Sequence, residues 1–391
     1  MERFSSHSAR AFVTALVFTL TMAIAACGAP AATPAPSPTN SQPPTPPPAP
    51  SPANSKLTAV PPQATFPRPQ NPAIEPTPQG SLNLKGRFVF ATGDGSLSLE
   101  DAGSNQPHPV FKATADLYGD APVFSPDGKQ IAFSASSFTK EGAVVQDIRV
   151  MNSDGTNIRV VAAPADPKVS YGFPAWSPDG KELYFTQSFS VPPSTQHDEV
   201  DKVAVTGGAL NKVMDDAREA TISPDGKRIA FSVLDYQTYS AALWIANIDG
   251  SGRKQLLSSG VFAALYGPRF SPDMQAIVFA ESGPANKKLP GAYAYAPQVE
   301  EDSCAVKLVF FCFAEGAEAH GLPWDLWQVN LDGTKFERLT NLGMDSPVPA
   351  WSADGKQLAW YDATGIYILD VGTKKIYQVS DSRGYGGFDW R

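Results

Sequence analysis

The sequence predicts an all-β chain of four-stranded sheets set in a closed ring, and three observations carry that prediction. A short motif recurs as Phe124-Ser125-Pro126-Asp127-Gly128-Lys129, Trp176-Ser177-Pro178-Asp179-Gly180-Lys181, Ile222-Ser223-Pro224-Asp225-Gly226-Lys227, Phe270-Ser271-Pro272-Asp273 and Trp351-Ser352-Ala353-Asp354-Gly355-Lys356, its serines 52, 46, 48 and 81 residues apart. An apolar residue precedes each copy and an alternating run follows it, as in Gln130-Ile131-Ala132-Phe133 and Glu182-Leu183-Tyr184-Phe185. Strand, tight turn, strand is therefore the repeated unit. Finally, the first unit lacks the strand before its turn, and Gly387-Phe388-Asp389-Trp390 at the other end of the chain supplies one. A period just under fifty residues with several short strands per unit is that of a β-propeller blade. Five marked units plus one shared by the two ends give six blades of four strands, the ring closed by the C-terminal strand joining the N-terminal blade.

Taken in order, the chain opens on a targeting segment, residues 1–26. Arg3 and Arg10 supply positive charge, Ala11 to Ile24 is an apolar run too short to span a bilayer well, and Ala25-Ala26-Cys27 follows. Ile24-Ala25-Ala26-Cys27-Gly28 resembles the lipobox of bacterial lipoproteins, which implies cleavage before Cys27 and acylation of that residue. An ordinary secretory signal with an incidental Cys is the other reading. Acylation would tie the protein to the outer face of the cytoplasmic membrane or to the outer membrane of a bacterium, without spanning it. Residues 27–80 then run through Pro, Ala, Ser and Thr, where nearly half of the 37 prolines lie. Such a stretch buries too little apolar surface to offset its ordering entropy, so a disordered linker is expected.

The globular part is residues 81–391. Arg87-Phe88-Val89-Phe90-Ala91 matches the strand after the turn in every repeat, Ser96-Leu97-Ser98-Leu99 the next, and Val110-Phe111-Lys112 the outermost. A second turn signal, such as Ser153-Asp154-Gly155-Thr156, Asp249-Gly250-Ser251 or Asp332-Gly333-Thr334, closes the hairpin between third and fourth strands. The unit that begins at Ser271 is about thirty residues longer than its neighbours, and the excess is an insertion at about 283–322. In a propeller such insertions emerge as loops on one face.

These repeats resemble the TolB-like β-propeller repeat, with its apolar-Ser-Pro-Asp-Gly-Lys turn, its apolar strand ending in Phe and its later Asp-Gly hairpin. The resemblance runs from about Leu84 to Arg391 and implies the propeller fold. TolB itself carries a mixed α/β domain ahead of its propeller and works with a peptidoglycan-associated lipoprotein; here a Pro-rich stretch stands in that place. The same repeat also caps prolyl oligopeptidase-like hydrolases, but no Gly-x-Ser-x-Gly elbow follows here.

Chemistry is sparse in the pattern. The net charge of -8 excludes a nucleic-acid binder that works by clustered Lys and Arg. The serines and aspartates of the turns are explained as turn residues and not as nucleophiles or metal ligands. His197 and His320 have no partner at a readable spacing. No catalytic residue, metal or cofactor is expected. Cys304 and Cys312, eight positions apart in an exported chain, read as a local disulfide, or else as a metal or redox pair. Tyr293, Tyr295, Phe310, Phe311 and Phe313 form a candidate partner surface on the insertion; the alternative is a flap packed onto the rim. Trp176, Trp351 and Trp390 share one repeat position with Phe124 and Phe270, which points to packing between blades.

The reading is a monomeric cell-envelope lipoprotein whose propeller binds another envelope protein as an interaction or scaffold module. A solute- or glycan-binding protein with ligand in the funnel is the alternative, and a propeller hydrolase or lyase a third.

Overall fold

The recurring turn takes its shape from its own side chains. Ser125 Oγ donates to Asp127 Oδ1 at 2.7 Å, the Lys129 N–H donates to the same oxygen at 3.1 Å, and the Gln130 N–H donates to Ser125 Oγ at 2.9 Å. Gly128 completes the turn at φ +69°. The same bonds recur at Asp179, Asp225, Asp273 and Asp354. Where the fourth copy has no glycine, Met274 is driven to φ +58°. The turn overrides the residue's own preference.

The computed structural model describes residues 74–75, 82, 84–139, 143–191, 195–236, 240–262, 264–282, 304–308, 311–314, 324–344, 346–384 and 386–391. Among them are strands and no helix, all within the unit Phe66–Arg391. The targeting segment, Cys27 and most of the expected linker lie outside the described residues.

The strands follow the repeat. After β1 (Ile74–Glu75), the first unit holds β2 (Arg87–Ala91), β3 (Leu97–Asp101) and β4 (His108–Phe111). The second holds β5 (Leu117–Phe124), β6 (Gln130–Phe138), β7 (Val144–Asn152) and β8 (Arg159–Ala162). The third holds β9 (Val169–Trp176), β10 (Glu182–Val191), β11 (Thr195–Ala204) and β12 (Asn211–Asp215). β13 (Arg218–Ile222), β14 (Arg228–Asp235), β15 (Ser240–Asn247) and β16 (Lys254–Phe262) come next. The long unit has β17 (Ala264–Phe270), β18 (Ala276–Ser282), the hairpin β19 (Cys304–Leu308) and β20 (Phe311–Ala314), then β21 (Trp324–Asn330) and β22 (Glu337–Arg338). β23 (Ala350–Trp351), β24 (Gln357–Asp362), β25 (Gly365–Asp370), β26 (Ile376–Ser380) and β27 (Phe388–Trp390) finish the chain.

Within each unit the strands pair antiparallel in sequence order. The first unit is completed as the sequence reading expects: β27 lies beside β2, with Phe88 opposite Trp390, Val89 opposite Asp389 and Phe90 opposite Phe388. Six separate four-stranded sheets are not, however, what the hydrogen bonds delimit. Three sheets have four strands; the second and third units merge into one of eight through a single parallel bridge between Gln146 and Ser170, and the last has five. The fifth strand corrects the linker expectation as well. Ile74 and Glu75 run parallel to Ile376 and Tyr377, because an outer strand leaves an open edge that an extended segment can occupy.

Packing explains why second strands read as unbroken apolar runs. Ile131 and Phe133 of β6 face a cluster with Val89, Leu97, Leu99 and Met151, whereas Ala132 between them faces one with Ile148, Val150, Leu183 and Phe185. Each sheet is thus covered on both sides. The repeated Phe133, Phe185, Phe231 and Phe279, with Phe90 and Trp360 at the same place, are at most 1 % exposed. Burial of each such ring stabilises the fold by about 1.5–3 kcal/mol. The tryptophans of the motif do pack between units: Trp176 Nε1 donates to the Val123 carbonyl of the preceding unit at 3.2 Å.

Candidate functional site

The first strand of each unit runs down the middle of the ring, and the bulges in those strands build the site. In β5, the four residues from Asp120 to Val123 oppose the three from Ala132 to Ser134 on β6; β9, β13 and β17 carry the same extra residue at the same place. The residues in the bulges, Ala121, Phe173, Glu219 and Gly267, all stand four positions before the motif serine and have φ of +49°, +53°, +53° and +59°. Left-handed backbone is disfavoured for Ala, Phe and Glu, and bulges re-aim the strand where they occur. Here they turn chain toward a shared centre.

That centre is a cavity of about 30 Å³ lined by Ala121, Phe173, Glu219, Tyr266, Arg269 and Phe388 among others, drawn from β5, β9, β13, β17, the segment before β23 and the end of the chain. Such a volume holds one or two water molecules.

Carboxylates tie these first strands to one another sideways. Asp120 Oδ1 accepts the Ala121 N–H at 2.7 Å and the Gly387 N–H at 3.0 Å; Asp389 Oδ2 accepts the Phe124 N–H at 2.8 Å; Glu219 Oε2 accepts the Gly267 N–H at 3.1 Å. First strands of neighbouring units share no ladder, so these bonds satisfy amides that would otherwise be orphaned. Glu219 also binds Arg218 Nε at 3.0 Å, and Arg218 reaches Asp198 at 3.7 Å. Asp198 in turn accepts the Tyr236 hydroxyl and the Ser188 hydroxyl, each at 2.5 Å. Phe173 carries Arg218 over its ring at 5.7 Å and meets Tyr266 edge-on at 5.9 Å.

Burial raises the carboxyls of Glu219 and Asp389 above their usual range, against the pull of Arg218 and Arg269 respectively. Desolvation moves Asp120 the same way, against its bonds from the Gly387 and Ala121 amides, although the residue keeps an exposed surface. Tyr266 and Tyr236 are held as neutral phenols, first by burial and then by the carboxylates beside them. Arg218 stays charged because Glu219 and Asp198 outweigh the cost of its burial.

Orientation follows from topology. With antiparallel neighbours, the motif turns lie at one end of every sheet, and the connections between second and third strands lie at the other. Arg218, Asp198 and Tyr236 are at this second end, and so are the end of β18 and the start of β21, between which residues 283–323 depart. Among the described residues no group of three or more His, Cys, Asp or Glu is placed to hold a metal ion.

A family model described as "TolB beta propeller domain" matches residues 88–294, more than half of the chain. The chain belongs to the TolB β-propeller family. Solved structures agree on the fold. A nidogen/laminin complex contains a chain with TM-score 0.54 at 12% identity, covering 78% of this chain and 97% of that one. TolB from Acinetobacter baumannii gives TM-score 0.53 at 16% identity, with 78% of this chain and 66% of that one covered. No curated protein matches by sequence.

In this TolB-family propeller the residues singled out from sequence fall mostly elsewhere. Cys27, Tyr293, Tyr295, Phe310 and His320 lie outside the described residues. The backbone of Cys304, Phe311, Cys312 and Phe313 is described, in the β19–β20 hairpin. Its register sets Cys304 opposite Ala314 and Cys312 opposite Lys307, with a register shift between Cys304 and Val306, so the two cysteines are not direct cross-strand partners. His197 stacks on Phe189 with ring centroids 5.9 Å apart. Asp120, Arg218, Glu219, Tyr266, Arg269 and Asp389 escaped the sequence reading. Aligning the units on the motif serine would have found the first four, since Asp120, Arg218 and Tyr266 stand five positions before it and Glu219 four, on otherwise apolar strands.

Proposed function

We propose that this TolB-family chain is an exported, lipid-anchored, six-bladed propeller that binds another protein of the cell envelope with the face on which residues 283–323 depart. The six-blade count treats the eight-stranded sheet as two blades joined by one bridge, and it is supported by the six segments that line the central cavity. The observation that carries the binding role is the size of that cavity. At about 30 Å³ the central cavity has room for water and not for a sugar or comparable solute, which supports the outer faces as the binding surface.

Capture from detergent-solubilised envelopes tests the role. The full-length protein should enrich at least one protein that an unrelated lipoprotein does not; equal recovery on both would refute it. A thermal-shift screen with cell-wall fragments and oligosaccharides tests the funnel-ligand alternative, and no fragment should raise the melting temperature. Replacing Cys27 with Ser should move the protein from the detergent to the aqueous phase on phase partition, and retention in the detergent phase would argue against the anchor.

A further inference from the structure

Glu281 and Asp325 close the long unit at the point where its chain departs. They are direct cross-strand partners, Glu281 near the end of β18 and Asp325 at the second position of β21. Both are sealed from solvent, at 2 % and 0 % exposure. Two buried carboxylates side by side cannot both stay ionised at ordinary cost unless cations match them. One guanidinium is at hand. Arg338 of β22 reaches Asp325 Oδ2 at 2.5 Å.

Donors are shared unequally between the two acids. Asp325 Oδ1 accepts the Thr340 hydroxyl at 2.7 Å and the Leu342 N–H at 2.8 Å, in addition to the Arg338 bond on its other oxygen. Glu281 Oε1 takes the Trp327 indole N–H at 2.6 Å, and its Oε2 is buried with no hydrogen-bond partner among the described residues. Burial raises the Asp325 carboxyl too, to about 7, but its Thr340 and Leu342 donors oppose that push and the Arg338 cation sits on its other oxygen, so the charge favours Asp325 over Glu281. Glu281 is left as the neutral acid. The sheet packed on this side brings the apolar Phe262 against Trp327 at 5.4 Å, and among the described residues the charged groups that act on Glu281 are Asp325 and Arg338.

We propose that Glu281, Asp325 and Arg338 form a one-proton lock that fastens the end of β18 to the start of β21, so that this edge of the propeller is held firmly in acid and neutral surroundings and loosened in alkaline ones. In keeping with it, burial pushes the Glu281 carboxyl up to about 8 and the Asp325 charge adds to the push. The sign follows. A carboxyl whose folded value lies above its unfolded value of 4.5 stabilises the fold most below that value, and the contribution declines as pH rises toward about 8. The lock stands apart from the proposed partner binding and does not depend on it.

Titration of the full-length protein by side-chain carboxyl ¹³C NMR tests the lock. One Glu signal should titrate near pH 8 and be absent from Glu281→Gln; if every Glu carboxyl titrates below pH 6, the lock does not exist. In Asp325→Asn the repelling charge is gone and Arg338 becomes available to Glu281, so the same signal should shift to lower pH. An unchanged position would show that burial alone holds the proton and would overturn the three-residue arrangement. Should either variant fail to fold, the wild-type titration alone still decides whether a neutral Glu persists above pH 6.

Discussion

Phe88 faces Trp390 across an antiparallel pair, their ring centroids 5.3 Å apart and their planes tilted by 56°. One residue opens the folded ring and the other all but ends it, so the contact fastens the two ends of the chain. Trp390 is buried, and its indole N–H donates to the Lys85 carbonyl at 2.8 Å. Trp390→Ala should therefore cost about 3–5 kcal/mol by chemical denaturation, the range for removing a large buried aromatic. Trp390→Phe keeps the ring contact and should cost less. Equal effects of the two would mean that the hydrogen bond, and not the packing, secures the closure.

Met274 occupies a left-handed backbone position that glycine holds in the other four copies of the turn. Left-handed backbone costs a non-glycine residue roughly 1–2 kcal/mol, offset in part by the greater unfolded-state freedom of glycine. Met274→Gly is expected to raise stability by about 0.5–1 kcal/mol, read as a higher midpoint in urea. A lower midpoint would show that the Met side chain contributes more packing than its backbone strain costs.

Two glycines at the centre should respond differently to one added methyl. A Cβ on Gly387 would run into the Cα of Ala121, on a strand held by Asp120 and Asp389. Gly267 has ordinary van der Waals room toward Pro349 and Val348 and is strained by its φ alone. Gly267→Ala should cost about 1–2 kcal/mol and Gly387→Ala more, since backbone must move. Comparable melting curves for the two would contradict the close approach of the chain end to β5.

Much of this arrangement was legible in the sequence, and what was not has physical reasons. The Ser-Pro-Asp-Gly-Lys turns, the strands beside them and the pairing of Phe388 and Trp390 with Phe88 and Phe90 could be read because the same local chemistry repeats. The central site went unread, since its positions hold Asp120, Gly172, Arg218 and Tyr266 in successive units: residues that differ in every repeat leave no periodic trace and stand out only when the units are aligned on the motif serine. Positive φ at Ala121, Phe173 and Glu219 is imposed by the bulge and is invisible in residue type. β1 was hidden for the opposite reason: Ile74 and Glu75 stand among prolines, and it is the open edge at Ile376, remote in sequence, that makes them a strand.

The turn aspartates contribute to the acid limit of stability. Ser125, Ser177, Ser223 and Ser271 donate to Asp127, Asp179, Asp225 and Asp273 and hold those carboxyls below their usual range; at Asp354 the Lys356 N–H leads and Ser352 adds to it. Folded values below the unfolded 3.8 mean that this stabilisation is present above pH 3.8 and is lost as pH falls through the folded values. Melting temperature should accordingly fall as pH drops below 3.8, and Asp179→Asn should flatten that limb. An unaltered acid limb in the variant would assign the loss to other carboxyls.

Partner capture by the face that bears the insertion is tested most directly by removing residues 283–320, which leaves Gly321, Leu322 and Pro323 to connect Ser282 with Trp324. Envelope extracts passed over the full-length protein and over this deletion, both confirmed as folded by melting temperature, should show a protein enriched by the first and absent from the second. Identical captured sets would contradict the assignment of the binding face, and a deletion that cannot fold would show that the insertion belongs to the architecture of the ring.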